Sequence, residues 1–228
     1  MILDNRADVQ PTILLAIGIA LVGLPAGGIL MDSFWDSSIP PAVSSIYNWI
    51  LVGGLVGFVL FVENKPLASI GLSRPDRRDV LVGVGLFVLG MISLILAAQI
   101  VGRLGIGTGP VENGSGETSG LWPLLAVLFV GITAGITEEI VYRGYALERI
   151  EGVANSTWVA GIVTATVFVL IHFGTHGIAG MLIISPVAVL LTVAYVWRRN
   201  LFVPILAHVL VNSFWDLIEF VAIVLGSV

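Results

Sequence analysis

The 228-residue sequence contains no cysteine, which excludes disulfides, thiolate nucleophiles and thiolate metal sites. Charge is scarce as well. Only 11% of residues are Asp, Glu, Lys or Arg, against about 25% in an average soluble domain. The net charge is −5 and there is no basic run, so the chain offers no footing for nucleic acid. No internal repeat and no low-complexity tract interrupts it. What is abundant is apolar surface. Hydrophobic residues make up 57% of the chain, above the roughly 45–50% of soluble domains, and both departures point to a lipid bilayer as the solvent.

A membrane helix needs about 20 apolar residues. Runs of that kind cover residues 11–31, 42–62, 80–101 and 121–137, the last continuing past two glutamates to about 150. Further runs cover about 157–173, 178–197 and 201–225, with Gly174 and Gly177 bracketing a turn and Pro186 marking an expected kink. The expected fold is all-α: a polytopic transmembrane bundle of about seven spans, forming one domain over residues 1–228. The first run is read as a retained helix. Met1–Gln10 carries Asp4, Arg6 and Asp8 where a signal peptide would have a positive region. Basic residues favour cytoplasmic loops. With the N-terminus inside, seven crossings place Arg6, Lys65, Arg74, Arg77, Arg78, Arg143, Arg149, Arg198 and Arg199 on the cytoplasmic side. Arg103 then falls outside, with the acidic Asp32, Asp36, Glu112 and Glu117. The site described next is expected to open toward the cytoplasmic side of a cell membrane.

Three short patterns place ionisable or amide groups inside apolar runs, where a charge costs roughly 2.5–3.5 kcal/mol even on lenient insertion scales. The first is Glu138-Glu139-Ile140-Val141-Tyr142-Arg143. Glu139 and Arg143 are four apart and share a helix face, so they can pair. Glu138 is then left for another task, such as a general base. The bland alternative is an interfacial cluster that anchors a helix end. The second pattern is Phe168 followed four residues later by His172, and the third is His208 followed four later by Asn212. Each alone is compatible with a packing histidine or with a helix–helix hydrogen bond of about 1 kcal/mol.

Together the patterns gain weight from depth. Glu138 precedes the turn near residue 153 and His172 follows it, and at about 1.5 Å per residue their levels differ by about 6 Å. His208 lies about 14 Å of rise beyond the turn near residue 199. All three patterns can therefore meet at one level below a membrane face. A carboxylate, two imidazoles and an amide can hold and deprotonate a water and receive an oxyanion. The same Glu/His set could instead ligate a divalent metal such as zinc. The motifs contain no Ser or Cys, so a covalent acyl-enzyme is not expected.

In this order on successive hydrophobic helices, Glu-Glu-x-x-x-Arg, Phe-x-x-x-His and His-x-x-x-Asn resemble the CPBP family of CAAX prenyl proteases and bacteriocin-processing membrane proteins. The resemblance covers about residues 121–212. It implies an intramembrane endopeptidase acting on a membrane-associated peptide or protein, which a CAAX-type client would present in prenylated form. It also implies Glu138 as base and His172 as the group positioning the water. His208 and Asn212 would form the oxyanion side, with Glu139 and Arg143 holding the geometry. Tyr142 stands where the family commonly has Phe. The family is described both as metalloproteases and as metal-independent glutamate proteases; the metal-free form is expected here, with no cofactor, and zinc is the alternative. A small carrier and a non-catalytic scaffold are the competing classes. His176 is read as a loop histidine, and Gly114-Ser115-Gly116 as too exposed for a buried nucleophile. Asp216 and Glu219 continue the His208/Asn212 face toward the outer surface.

Overall fold

A computed structural model describes residues 10–34, 41–107 and 121–225. Among these residues every regular element is helical. The helices are α1 (Pro11–Phe34), α2 (Pro41–Gly57), α3 (Arg77–Arg103), α4 (Leu121–Glu139), α5 (Glu148–Ala154), α6 (Thr157–Leu170), α7 (Phe173–Arg198) and α8 (Phe202–Val224). Six described helical stretches are long and apolar enough to cross a membrane, and α6 is a shorter apolar helix. The chain is thus a multi-pass, all-α membrane protein. The acidic residues Asp36, Glu112 and Glu117, the charged N-terminal stretch and Gly114-Ser115-Gly116 lie outside the described residues.

Two stretches depart from the α-helices expected from hydrophobic runs. Phe58–Val62 extends α2 as a π-helix, and Ile140–Leu147 joins α4 to α5 in the same wide winding. The second begins directly after Glu138-Glu139. A π turn holds more residues per turn than an α turn, so it re-aims side chains relative to the helix before it, and such segments recur at functional sites. Apolar periodicity does not reveal the change, because all eight residues of Ile140–Leu147 are buried and no exposed face marks the phase.

Local chemistry sets several ends. Asp76 caps α3 by accepting from the Asp79 amide, and Asp79 accepts from the Asp76 amide in return, a reciprocal capping box. The helix therefore starts at Arg77, ahead of the expected residue 80. Ser156 accepts from the Val159 amide at the start of α6. Between α6 and α7 the chain turns at once. The break expected in that region falls at Gly177, whose φ of 61° and ψ of −166° suit glycine. Pro186 is carried inside α7 with no non-helical φ/ψ.

Two buried cores hold the bundle. One joins α1, α2, the π stretch and α6 through residues such as Ala20, Val59, Tyr145 and Phe168. The other packs α3 against α7 and α8 through Leu86, Leu191 and Ala207. Glycines bring α4 and α8 close: a Cβ on Gly135 would stand 3.0 Å from the Val209 amide nitrogen. Close backbone approach through small residues is how membrane helices gain contact where lipid removes the hydrophobic drive.

One end of the bundle gathers basic residues. Arg149 bonds bidentately to Glu63 at 2.5–3.0 Å, and also reaches the Ser69 carbonyl and hydroxyl. Arg198 pairs with Asp79, and Arg199 with Glu148 and Glu151. The Glu151 and Glu148 carboxylates hold the Arg199 guanidinium above its ordinary pKa. Lys65, Arg74, Arg77 and Arg78 belong to the same end, where the exposed Trp158 and Trp197 sit as interfacial anchors would.

Candidate active site

Glu138 and Glu139 are sequence neighbours on the last turn of α4 with opposite surroundings. Glu139 is fully buried, and its Oε1 accepts from Arg143 Nη1 at 2.8 Å and from His208 Nδ1 at 2.9 Å. Its Oε2 is buried without a hydrogen-bond partner. Arg143 is fully buried too. It donates from Nε to the Thr192 hydroxyl and from Nη2 to the Ala188 carbonyl, and its guanidinium lies 4.2 Å from the centre of the Phe168 ring. A buried pair of charges is tolerated when added hydrogen bonds satisfy the remaining donors, and Thr192, Ala188 and His208 supply them here. Glu139 thus joins α4 to the π stretch and to α8, while Arg143 extends the network to α7.

Glu138 is half-buried and lines a cavity of about 240 Å³. His172 and Ile171, in the α6–α7 turn, line the same space, as does Thr175 in the first turn of α7. The opposite wall is Leu24, Pro25 and Gly28 from α1 with Ser44, Tyr47 and Asn48 from α2. Tyr47 is held across that wall by donating to the Gly23 carbonyl at 2.7 Å.

The imidazole tautomers follow from their partners. His172 Nδ1 lies 2.7 Å from the Phe168 carbonyl, an oxygen that can only accept, so Nδ1 carries the proton. The neutral ring then presents Nε2 as an acceptor. His208 Nδ1 likewise donates to the Glu139 carboxylate, which fixes the ring by the carboxylate–imidazole logic common in catalytic sites. Phe168 sits between them, its ring centre 4.9 Å from that of His172 and 5.9 Å from that of His208. The edge of Tyr142 completes the packing at 5.6 Å, and the buried Tyr142 hydroxyl has no hydrogen-bond partner.

The three motifs therefore converge. Glu139, Arg143, His172 and His208 surround Phe168 or bond to one another, and Glu138 shares a cavity with His172. Asn212 stands one turn beyond His208 and donates to the Gly131 carbonyl on α4 at 3.0 Å, leaving a second amide N–H. Asp216, a further turn on, packs against Gly131 with a buried, unpartnered Oδ2. His176 is exposed and stacks on His172 with ring centres 5.9 Å apart. Among the described residues, no three His, Cys, Asp or Glu side chains form a group able to hold a metal ion.

Some participants had no sequence signal. Thr192 and the Ala188 carbonyl complete the Arg143 shell from α7. The α1 and α2 walls come from a region that matches the resembled family only in being hydrophobic. A hydroxyl on an apolar helix and a bare carbonyl carry no pattern that periodicity could detect.

Comparison with known families bears on the class. The model described as type II CAAX prenyl endopeptidase Rce1-like matches residues 120–214. That stretch holds all three motifs. Residues 120–214 are similar to the Rce1-like family, over less than half of the chain. No curated protein and no solved structure matches the chain. The Rce1-like region runs from α4 to α8, so it contains the Glu139 network whole, while α1 and α2 contribute the far wall of the cavity. The likeness is to a family of CAAX prenyl endopeptidases and is confined to this α4–α8 stretch.

Proposed function

We propose that the chain hydrolyses a peptide bond of a membrane-associated, CAAX-type substrate with a water activated by Glu138. The observation that carries this reading is the division of labour between the adjacent carboxylates. Glu139 is spent on Arg143 and His208, whereas Glu138 faces a cavity shared with an acceptor-bearing imidazole.

In the proposed reaction, Glu138 takes a proton from the water while His172 Nε2 accepts its second O–H and orients it. The oxygen attacks the scissile carbonyl, and the developing oxyanion is received on the side of His208 and Asn212, by the second Asn212 amide N–H and by His208 Nε2 when that nitrogen also carries a proton. Glu138 then gives its proton to the leaving amine as the C–N bond breaks. Proton transfer by a positioned group of this kind contributes about 10²–10⁴ in rate. Arg143 and Glu139 are positioning residues: they set the rotamer of His208 and do not touch the reacting atoms.

We favour the metal-free form. A catalytic zinc needs three protein ligands and an open position. His172 and His208 each engage an oxygen through Nδ1 and keep Nε2 free, but His208 does not line the cavity that Glu138 and His172 share, and among the described residues no three His, Cys, Asp or Glu side chains group closely enough to hold a metal ion. That set falls short of a zinc site.

The deciding experiment compares cleavage of membrane-anchored reporter peptides by the parent and by Glu138→Ala. Loss of cleavage in a folded variant supports the assignment. Equal turnover by both proteins sinks it, and Glu138-dependent solute uptake without proteolysis would favour a carrier instead.

A further inference from the structure

Two of the polar side chains in the π stretch spend their atoms on neighbours. Arg143 bonds to Glu139, Thr192 and Ala188, and the Tyr145 hydroxyl donates to Glu63. Tyr142 differs. It is fully buried, and its hydroxyl has no hydrogen-bond partner. A buried phenol usually finds one, because a hydroxyl taken out of water and left unpaired is costly. Phenylalanine would fill the same space without that cost, so packing alone does not account for the oxygen.

The surroundings of Tyr142 say where its partner lies. Tyr142 follows Glu138 by four residues, so the two side chains share a helix face. The Tyr142 ring meets Phe168 edge-on at 5.6 Å, and Phe168 meets His172 at 4.9 Å. Phenol, phenyl and imidazole thus form a row that ends at the cavity lined by Glu138 and His172, while Tyr142 itself stands back from that cavity. The phenol needs an acceptor for its proton. Arg143 only donates, and the other open acceptor on this turn is Glu139 Oε2. The carboxylate whose charge acts on the hydroxyl, however, is that of Glu138. One water can span the gap between them, accepting from the phenol and donating to the carboxylate, since an enclosed water is held by two to four polar contacts.

We propose that Tyr142 is a positioning residue for Glu138: its hydroxyl donates to an enclosed water, and that water donates to the Glu138 carboxylate. This rests on the reading of Glu138 as the general base. The link occupies one carboxylate oxygen and turns the other toward the cavity, where the attacking water gives up its proton. It leaves substrate binding alone, because the phenol does not reach the cavity.

Tyr142→Phe removes the hydroxyl and keeps the ring against Phe168. With the full chain and a membrane-anchored reporter peptide, kcat should fall about 10–100-fold, as when a group that orients a reacting side chain is lost, with KM unchanged. The same substitution in a Glu138→Gln background should cost no more than about twofold, since the base it positions is gone. A parent-like kcat for Tyr142→Phe overturns the proposal. So does an equal fractional loss in both backgrounds, which would assign the hydroxyl to Glu139 Oε2 instead.

Infrared spectroscopy of protein carrying isotope-labelled glutamate supplies an arm that needs no substrate. The carboxyl stretch that disappears in Glu138→Gln identifies Glu138. That band should move in Tyr142→Phe, and a band that stays in place overturns the link. A Glu138→Gln protein that cuts at the parent rate sinks the reading of Glu138 as base, while the infrared band still decides whether Tyr142 is hydrogen-bonded to it through water.

Discussion

His208 donates its Nδ1 proton to Glu139 Oε1 at 2.9 Å, tying α8 to α4 at the point where α4 changes to a π-helix. The same oxygen accepts from Arg143 at 2.8 Å. One buried carboxylate oxygen thus joins the first motif to the third.

Breaking that junction from the Arg143 side should destabilise the fold. Arg143→Met leaves Glu139 buried without its charge partner, and losses of about 3–5 kcal/mol are typical for such a change. Thermal unfolding in detergent measures it. The double variant Arg143→Met/Glu139→Leu should recover part of the loss, because no uncompensated charge remains. A double variant as unstable as the sum of the singles would contradict the coupling.

Glu138 should behave in the opposite way. It lines a cavity and carries no part of the Glu139 network, so Glu138→Gln is expected to unfold at nearly the parent temperature. Its cleavage rate should nonetheless fall by about 10²–10⁴ if it is the general base. Parent-like cleavage by a stable Glu138→Gln protein would reject the role.

Gly135 tests whether the distance between α4 and α8 matters for the chemistry. An alanine Cβ there meets the Val209 side chain at 2.9 Å and its backbone at 3.0–3.2 Å, so the helices must part. Overpacking of this kind costs about 1–3 kcal/mol. The expected result for Gly135→Ala is a lower unfolding temperature with a fall in kcat, since His208 rides on the displaced helix. Gly85→Ala, which meets nothing within 4 Å, is the control.

The metal-free proposal predicts full activity after exhaustive chelation. Cleavage assayed before and after treatment with a strong chelator checks it. Loss of activity that added zinc restores would overturn the preference.

Much of the architecture was legible in the chain. The apolar runs located the spans because a lipid-exposed helix must be hydrophobic along its whole length, a local demand. The pairing of Glu139 with Arg143 was legible from spacing, since residues four apart share a face. The winding of Ile140–Leu147 was not. Nor were the early stop of α6 at Leu170 and the contribution of Thr192, because each depends on what another helix presses against that point.

The sequence by itself determined that charge lies within the membrane and which residues carry it, for burying an ion in lipid is costly wherever the helix sits. Only the tertiary structure decided that Glu139 is bound to His208 as well, and that Glu138 faces a cavity shared with His172 and walled by α1 and α2. Those outcomes depend on contacts of about 3 Å between side chains far apart in the chain, such as Glu139 and His208, and no local pattern encodes such contacts.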